Sequence, residues 1–364
     1  MEIKDIYLYI KSIKGISSIT LGKIINEVGN IEEIVNLNEK DIYNLKNISL
    51  NIKENLVQYM SCFDLEETKE KLHINSINYI CIEDKEYPDK LRNIHNPPLL
   101  LFYKGDLSIM DDKLSLAMVG SRRPTPYGID CAERISSELS KRNINIISGM
   151  ALGIDACCHR GCLKGDGKTI AVLASSLDNI RPSTNRPLAD EIIEKGGLLL
   201  SEYNVGHVVT RGNFPARNRI LSGISDGVIV VEAAEKSGAL ITADMALEQG
   251  RNVFAIPGNI HSEMSKGCHK IIKEGAKLVG SIEDILEEYN SASFNKKSSI
   301  EYDINALSKE SNEILKAIKK QGILQINEIC DNTGMDIKNV NTIISELLLK
   351  DIVVEMNNKM YSIN

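Results

Sequence analysis

The run Leu114-Ser115-Leu116-Ala117-Met118-Val119-Gly120-Ser121-Arg122-Arg123 joins a mainly apolar stretch to a glycine, a serine and two arginines. A nearly continuous apolar run predicts a strand that is covered on both faces, as in a parallel sheet. The polar turn after it would lie at the carboxyl end of that strand, where open α/β sheets bind ligands. This stretch therefore predicts the fold class and the edge of the sheet that carries the site.

The same alternation of apolar runs and amphipathic segments continues to about residue 289, which is typical of strands joined by crossover helices. The predicted strands are Leu114–Val119, Asn145–Ser148, Thr169–Leu173, Gly197–Leu200, Gly227–Val231 and Asn252–Ala255. The predicted helices are Tyr127–Arg142, Ile154–Leu163, Leu188–Glu194, Ala216–Gly223, Thr242–Gln249, Gly267–Lys273 and Ile282–Tyr289. We predict a Rossmann-like, doubly wound α/β domain with a mainly parallel sheet.

Two further modules flank this domain, which we place at residues 73–289. Residues 1–72 predict a domain of short helices, in which Lys14–Ile19 resembles one half of a helix-hairpin-helix. The Ser- and Asn-rich residues 290–305 are typical of a linker. Residues 306–364 predict three helices and a hairpin across Asn357-Asn358, the pattern of a winged helix-turn-helix.

Composition restricts the class of protein. The chain of 364 residues has a net charge of −7, which argues against a uniformly basic nucleic-acid binder. The eight cysteines show no framework spacing, the N-terminus lacks a signal-peptide pattern, and no apolar run reaches membrane length. These features predict a cytoplasmic protein with reduced thiols and no membrane association.

Arginine is distributed unevenly along the chain. Ten of the twelve arginines lie between residues 115 and 225, where lysines and arginines number fourteen against ten acids. A planar guanidinium binds phosphate through paired hydrogen bonds, whereas surface solubility would predict an even scatter or lysine instead. The arginines therefore favour a phosphate-rich ligand in the middle of the chain.

Two glycine-containing turns follow the first two predicted strands. In Gly120-Ser121-Arg122 the glycine permits a close approach of the backbone, the serine offers a hydroxyl, and the arginine neutralises phosphate. Ser148 and Gly149 repeat this arrangement after the second strand. Because neighbouring parallel strands end at the same edge, the two turns would form one crevice.

Later turns add further phosphate-binding candidates. Phe214 precedes Arg217, Asn218 and Arg219 at a predicted helix start, where an aromatic ring beside arginines could stack a base. Arg186 belongs to a loop that follows the third strand. A third phosphate-facing turn is predicted from Ser237, Gly238 and Thr242, with Thr242 as the cap of the next helix.

No metal, cofactor or catalytic site is predicted. Cysteines 157, 158 and 162 and His159 share one short helix, whereas tetrahedral zinc needs ligands from separated elements. Gly165–Thr169 imitates the end of a Walker A loop but leads into a strand and lacks the first glycine. Asp155 and His159 stand one helical turn apart and could pair, with a capping or orienting role favoured over acid–base catalysis.

These segments together resemble the DNA-processing protein A (DprA/Smf) family. The resemblance spans about residues 85–280, and the flanking modules also look like those of this family. The sequence differs from the family pattern at Arg181, where an aromatic is common. The segments that carry the resemblance are Val119–Arg122, Ser148–Asp155, Phe214–Ile220, Ser237–Thr242, Ala255–Gly258 and Gly267-Cys268.

The resemblance implies a non-enzymatic protein that coats and protects single-stranded DNA, forms a homodimer and loads the RecA recombinase in natural transformation or recombination. It implies phosphate contacts from the Gly120–Arg122 turn and the Arg217–Arg219 segment, and a base near Phe214. Two alternatives remain open. One is a nucleotide-processing enzyme of the phosphoribohydrolase type, whose sheet is similar. The other is a sequence-specific regulator, although the helix Asp336–Lys350 carries as many acids as lysines.

Overall fold

The computed structural model describes residues 2–110, 113–293, 308–321, 324–349, 352–356 and 360–363. The chain forms two compact units, residues 1–285 and residues 286–364, and each is described by itself. Most of the predicted linker, residues 294–305, lies outside the described residues. The predicted hairpin turn at Asn357-Asn358 also lies outside them.

The first unit is built on a nine-stranded sheet of order β1-β2-β6-β5-β4-β3-β7-β8-β9. The seven strands from β6 to β9 in this order are parallel, so the predicted mainly parallel α/β sheet is confirmed. Strand order reverses between β3 and β7, which is where doubly wound sheets bind ligands. The strands are β1 Asn78–Cys81, β2 Leu100–Gly105, β3 Ser115–Gly120, β4 Asn145–Ser148, β5 Thr169–Leu173, β6 Leu198–Ser201, β7 Gly227–Glu232, β8 Asn252–Ala255 and β9 Lys277–Leu278.

Three strands of this sheet were not predicted from the sequence. β2 pairs antiparallel with β6, with Phe102 opposite Ser201, and β1 extends the same edge antiparallel to β2. β9 closes the other edge with a pairing of two residues, Lys277 and Leu278. The strand–helix alternation begins only at residue 115, so β1 and β2 lie outside the pattern on which the prediction rested, whereas β9 lies within it but is only two residues long.

Thirteen helices accompany the sheet in the described residues, and none of them is long and apolar enough to cross a membrane. α10 begins three residues before its predicted start, because Pro215 lies in the first turn, where backbone N–H groups have no helical partner. The helices are α1 Ile3–Ser12, α2 Ser18–Val28, α3 Glu39–Asn44, α4 Leu50–Cys62, α5 Leu65–Ile74, α6 Asp89–Arg92, α7 Pro126–Lys141, α8 Ile154–Cys162, α9 Arg186–Glu194, α10 Asn213–Ile224, α11 Gly238–Glu248, α12 Lys266–Lys273 and α13 Ile282–Ser293.

Apolar residues cover both faces of the sheet, and the clusters that they form include one core on each face. Successive residues of a strand point to opposite faces, so Leu199 belongs to one core and Leu198 and Leu200 to the other. The first core contains residues of α1 to α5 together with α8 and α9. The second contains residues of α6, α10, α11 and α12. The helices of residues 3–74 therefore share a core with the sheet and do not form a compact unit of their own.

A partly buried ion triad joins these N-terminal helices to the sheet. Lys11 of α1 donates to Oε1 of Glu202 at 2.7 Å, and Arg219 of α10 donates to Oε2 at 2.6 Å. All three side chains are less than one-fifth exposed. Burial alone would raise the pKa of Glu202, but the two cations hold it below its usual range.

In the residues that the structure describes from 308 onwards, the second unit contains three helices and a small antiparallel sheet of order β10-β12-β11. Buried Ile314, Ile329, Val340 and Leu347 form its core with residues of the sheet. The strand β10, which pairs with β12, was not predicted. The elements are α14 Lys309–Gln321, β10 Leu324–Gln325, α15 Ile326–Thr333, α16 Ile337–Leu349, β11 Val353–Met356 and β12 Met360–Ile363.

We predict that Glu202→Gln destabilises the first unit by about 3 kcal/mol at neutral pH, because it leaves two partly buried cations without a countercharge. The stabilisation by Glu202 is present above its ordinary pKa of about 4.5 and is lost as the pH falls through the lower pKa of the folded state. The difference between wild type and variant in urea unfolding should therefore shrink below that pH.

The matched control is Glu191→Gln, which removes an exposed pair with Lys195 on one helix and should change stability by less than about 0.5 kcal/mol. Equal effects of the two substitutions, or a Glu202→Gln effect that does not depend on pH, would contradict the assigned role of the triad.

Candidate nucleic-acid interface

A cleft of about 230 Å³ opens at the carboxyl ends of β3 and β7, where the strand order reverses. It brings together eight of the thirteen residues predicted to contact a ligand: Gly120, Arg122, Phe214, Arg217, Asn218, Ser237, Gly238 and Thr242. Ala151, Asp155 and Ile241 also line it. The cleft includes the first of the two turns predicted to form a crevice but not Ser148 or Gly149 of the second, and the orientation of each side chain decides what it can bind.

The turn after β3 is held rigidly against its neighbours. A Cβ on Gly120 would lie 2.7 Å from Cγ1 of Ile154 and 2.9 Å from the carbonyl oxygen of Glu232, so glycine permits this close packing. The N–H of Ser121 donates to the same carbonyl at 2.8 Å. The Ser121 hydroxyl accepts from the N–H of Arg123 at 3.1 Å and contacts Sδ of Met264, so it serves the turn itself.

Glu232, which sequence reasoning missed as a site residue, fixes the start of α7. Its buried carboxylate accepts from the N–H of Thr125 at 2.8 Å and from the Thr125 hydroxyl at 2.6 Å. The Thr125 hydroxyl in turn caps α7 by accepting from the N–H of Gly128. Glu232 therefore ties the end of β7 to the turn that carries Arg122. An acid at the end of a central strand is the sequence signal that could have identified it.

Arg122 lies over the ring of Phe214. The guanidinium carbon is 4.7 Å from the ring centroid, a cation–π contact across the cleft. Arg122 is exposed, and Phe214 is half-buried as the second residue of α10 instead of lying in the loop before it. The two side chains predicted to neutralise a phosphate and to stack a base are thus neighbours.

Arg217 does not face the ligand space as predicted. It is 4% exposed, and its Nη1 donates to the carbonyl of Gly149 at 2.6 Å and to the carbonyl of Val172. Burial lowers its pKa to about 10, and the nearby carboxylate of Asp155 opposes that change, so the group is charged at neutral pH. Arg217 crosslinks the ends of β4 and β5 beneath the cleft, and its assignment to phosphate is corrected.

Arg219 is corrected for the same reason. Its ion pair with Glu202 turns the guanidinium towards the N-terminal helices, and this side chain is 14% exposed. Asn218, between the two arginines, lines the cleft and is partly exposed. Of the predicted Arg217–Arg219 segment, Asn218 is the residue available to a ligand.

The loop after β4 supports the cleft from below. The Ser148 hydroxyl donates to the Met118 carbonyl at 2.7 Å and is fully buried, so Ser148 pins β4 to β3 and cannot reach a ligand. Gly149 is buried too, and an added Cβ would collide with Arg217 and Asp155. Both residues therefore position the cleft instead of lining it.

Asp155 and His159 do not pair. Asp155 accepts from the N–H of Ala151 at 3.3 Å, and burial raises its pKa while Arg217 opposes the shift. Nδ1 of His159 lies 2.7 Å from the hydroxyl of Thr169, and burial lowers the His159 pKa to about 3, so it is neutral at pH 7. Asp155 therefore has the predicted orienting role, whereas His159 is a core residue.

The turn after β7 differs in one residue from the prediction. Ser237 caps α11 by accepting from the N–H of Ala239 at 3.2 Å. Thr242, the predicted cap, lies inside the helix and is 1% exposed. Gly238, the first residue of α11, is exposed at the cleft, and a Cβ there would meet no atom within 4 Å. The N–H of Ala239 is taken by this cap and that of Leu240 donates to the Ser237 carbonyl at 3.1 Å, so the N–H of Gly238 is the donor that this helix end offers to the cleft.

Five of the ten central arginines are exposed and have no carboxylate partner among the residues that the structure describes. They are Arg122, Arg123, Arg181, Arg186 and Arg211. All five lie in the segments that follow β3, β5 and β6, at the carboxyl edge of the sheet. In the sheet β3 and β6 are three strand spacings apart, about 14 Å. We call these five residues the arginine track.

Arg123, Arg181 and Arg211 of this track were not predicted site residues. Their position in the sequence could have identified them as site residues, because each lies in a loop that follows a parallel strand. The cysteines of α8 are buried, and no group of three or more potential metal ligands occurs in the described part of the chain. Cys157 accepts from Arg160 at 3.3 Å, and Sγ of Cys162 faces backbone carbonyls.

We predict that Arg217→Met destabilises the protein by about 3 kcal/mol, because it leaves Asp155 buried without its cation and two carbonyls without a donor. Urea unfolding measures this change. Arg123→Met, at an exposed position of the same sheet edge, is the control and should change stability by less than about 0.5 kcal/mol. If Arg217→Met were as stable as Arg123→Met, the structural role assigned to Arg217 would be wrong, and its guanidinium would again be a candidate for ligand binding.

A family model and the sequences of known proteins match this chain to the same family. Residues 78–290 match the model of the DNA recombination-mediator protein A family. The chain is 44% identical to the DNA processing protein DprA of Bacillus subtilis over 212 residues, which are 58% of this chain and 71% of that protein.

Two solved structures are similar to this one. The DNA processing protein A of Streptococcus pneumoniae superposes with a TM-score of 0.70 at 36% identity, over 79% of this chain and 99% of that one. The protein from Helicobacter pylori, described for its single-stranded DNA binding mode, superposes with a TM-score of 0.54 at 31% identity, over 60% of this chain and 98% of that one. The chain belongs to the DNA recombination-mediator protein A (DprA/Smf) family.

Proposed function

We propose that this protein binds single-stranded DNA, with little sequence preference, at the carboxyl edge of its parallel sheet. The observation that carries the proposal is the arginine track next to the cleft that holds Phe214. A row of unpaired cations follows a phosphate backbone, and an aromatic ring stacks bases of any identity. The single-stranded DNA binding described for the relative from Helicobacter pylori supports this ligand.

An unpaired strand suits this site better than a duplex. Phe214 lies within a cleft of about 230 Å³, so a base reaches its ring only after leaving a stack. Gly238 at the start of α11 and the side chain of Arg122 line the same cleft, and the Gly238 N–H and the guanidinium suit the phosphate beside that base. The net charge of −7 also disfavours nonspecific duplex binding over a broad surface.

The proposed action is binding without catalysis. Asp155 is the acid that lines the cleft, and it is held by the N–H of Ala151 beside the buried Arg217. That setting orients the loop after β4 and leaves the carboxylate poorly placed to move a proton. Incubation with nucleoside monophosphates, followed by a search for released base, distinguishes this proposal from a phosphoribohydrolase.

The family further suggests a cytoplasmic homodimer that protects single strands and loads the RecA recombinase. We assign the second unit, with three helices and a three-stranded sheet, to the winged-helix class. Its near-balance of acidic and basic residues favours contact with a protein over duplex DNA. RecA loading is tested by the rate of RecA filament formation on strands already covered by a single-strand binding protein, with and without this protein.

We predict that affinity for a fluorescent single strand falls with salt, with a slope of log K against log salt of about −3.5 if the five arginines of the track each neutralise one phosphate. Arg122→Ala should reduce the magnitude of that slope by about 0.7 and weaken binding. A duplex of equal length should bind more weakly. These quantities are measured by fluorescence anisotropy at several salt concentrations.

Arg134→Ala is the matched control, because Arg134 is exposed on α7 and pairs with Asp130 instead of belonging to the track. Its slope and affinity should equal those of the wild type. Equal binding of duplex and single strand, or equal slopes for the two arginine variants, would remove the track from the proposed interface.

A further inference from the structure

We infer that Leu152 is a base-contacting residue of this interface, and that it adds an apolar, sequence-independent contact between the two halves of the arginine track. The inference rests on the proposed single-strand binding. Leu152 lies in the loop between β4 and α8 and is 48% exposed. Because β4 lies between β3 and β5 in the sheet, this loop lies between the segments that carry the arginines.

The loop holds Leu152 in a fixed position. Met150, fully buried, has φ 57° and Gly153 has φ 81°, so two of the four residues Met150–Gly153 have a positive φ. The side-chain amide of Asn185 donates to the carbonyls of Met150 and Ala151 at 2.9 and 3.2 Å. A non-glycine residue in the left-handed region costs free energy and persists where neighbours determine it. Exposure of Leu152 is therefore imposed by the surrounding structure.

Segments that carry arginines of the track lie on both sides of the loop that holds this leucine. On one side, a Cβ on Gly153 would be 2.8 Å from the carbonyl carbon of Arg122, and the N–H of Ile154 donates to the Ser121 carbonyl at 3.1 Å. On the other side, Asn185, which holds the loop, directly precedes Arg186. Leu152 is therefore an apolar side chain set among groups that suit phosphates.

A strand that follows these arginines would bring its bases over Leu152. Covering its exposed apolar surface with a base is favourable, and this holds for every base. Ile241, 40% exposed and part of the cleft lining, and Phe214 offer similar surface nearby. The surrounding positive charge favours a polyanion that carries flat apolar groups over an uncharged apolar partner.

The test compares two oligonucleotides of equal length, one with bases and one abasic throughout, which share their phosphates. Leu152→Ser should bind the base-bearing strand about fivefold more weakly than the wild type does. It should bind the abasic strand as the wild type does, with an unchanged salt slope, because no charge is removed. Leu50→Ser, at an exposed leucine of α4 (62% exposed), is the matched control and should change neither affinity.

Several outcomes would overturn the inference. If Leu152→Ser and the wild type bound the base-bearing strand with equal affinity, the inference would be wrong. The proposed function would remain, since the wild type still binds. Equal losses on both strands would also overturn the inference, because they would indicate a disturbed loop instead of a lost base contact. A wild type that binds neither strand would overturn the proposed function, and the inference with it.

Discussion

The cleft depends on one buried guanidinium. Arg217 reaches from α10 under the ends of β4 and β5, donates to the carbonyls of Gly149 and Val172, and lies beside the carboxylate of Asp155. Because a buried charge without partners is strongly unfavourable, these groups fix one another in place. These contacts restrain the loops that surround the cleft. The exposed residues of the candidate interface are therefore positioned before any ligand binds.

Arginine has two distinct roles in this protein. Arg217 and Arg219 crosslink secondary-structure elements inside the fold, and Arg92 and Arg251 similarly donate to backbone carbonyls. The five residues of the arginine track are instead exposed at one edge of the sheet, four in loops and Arg186 at the start of α9. The planar group with several donors that suits phosphate suits carbonyl oxygens equally well. The tertiary fold, through burial, decides which role each arginine takes.

The parallel sheet, and the sheet edge at which most of the candidate residues gather, could be predicted from sequence, because continuous apolar runs such as Thr169–Leu173 and the turns after them carry a local signal. The orientation of individual side chains could not. Arg217 and Arg219 are two residues apart on α10, and what they contact depends on Gly149, Val172 and Glu202, which are distant in sequence. The antiparallel strand β2 was missed because its pairing with β6 is likewise non-local, and β1 was missed with it because β1 pairs only with β2 in this sheet.

The contact between Arg122 and Phe214 shapes the free protein as well as a bound one. An aromatic ring in an open cleft would present an adhesive surface to other molecules, including further copies of the chain. The guanidinium at 4.7 Å shields that ring while remaining hydrated on its outer side. The cleft thereby holds a half-exposed aromatic ring without the penalty in solubility that a bare phenyl group would bring.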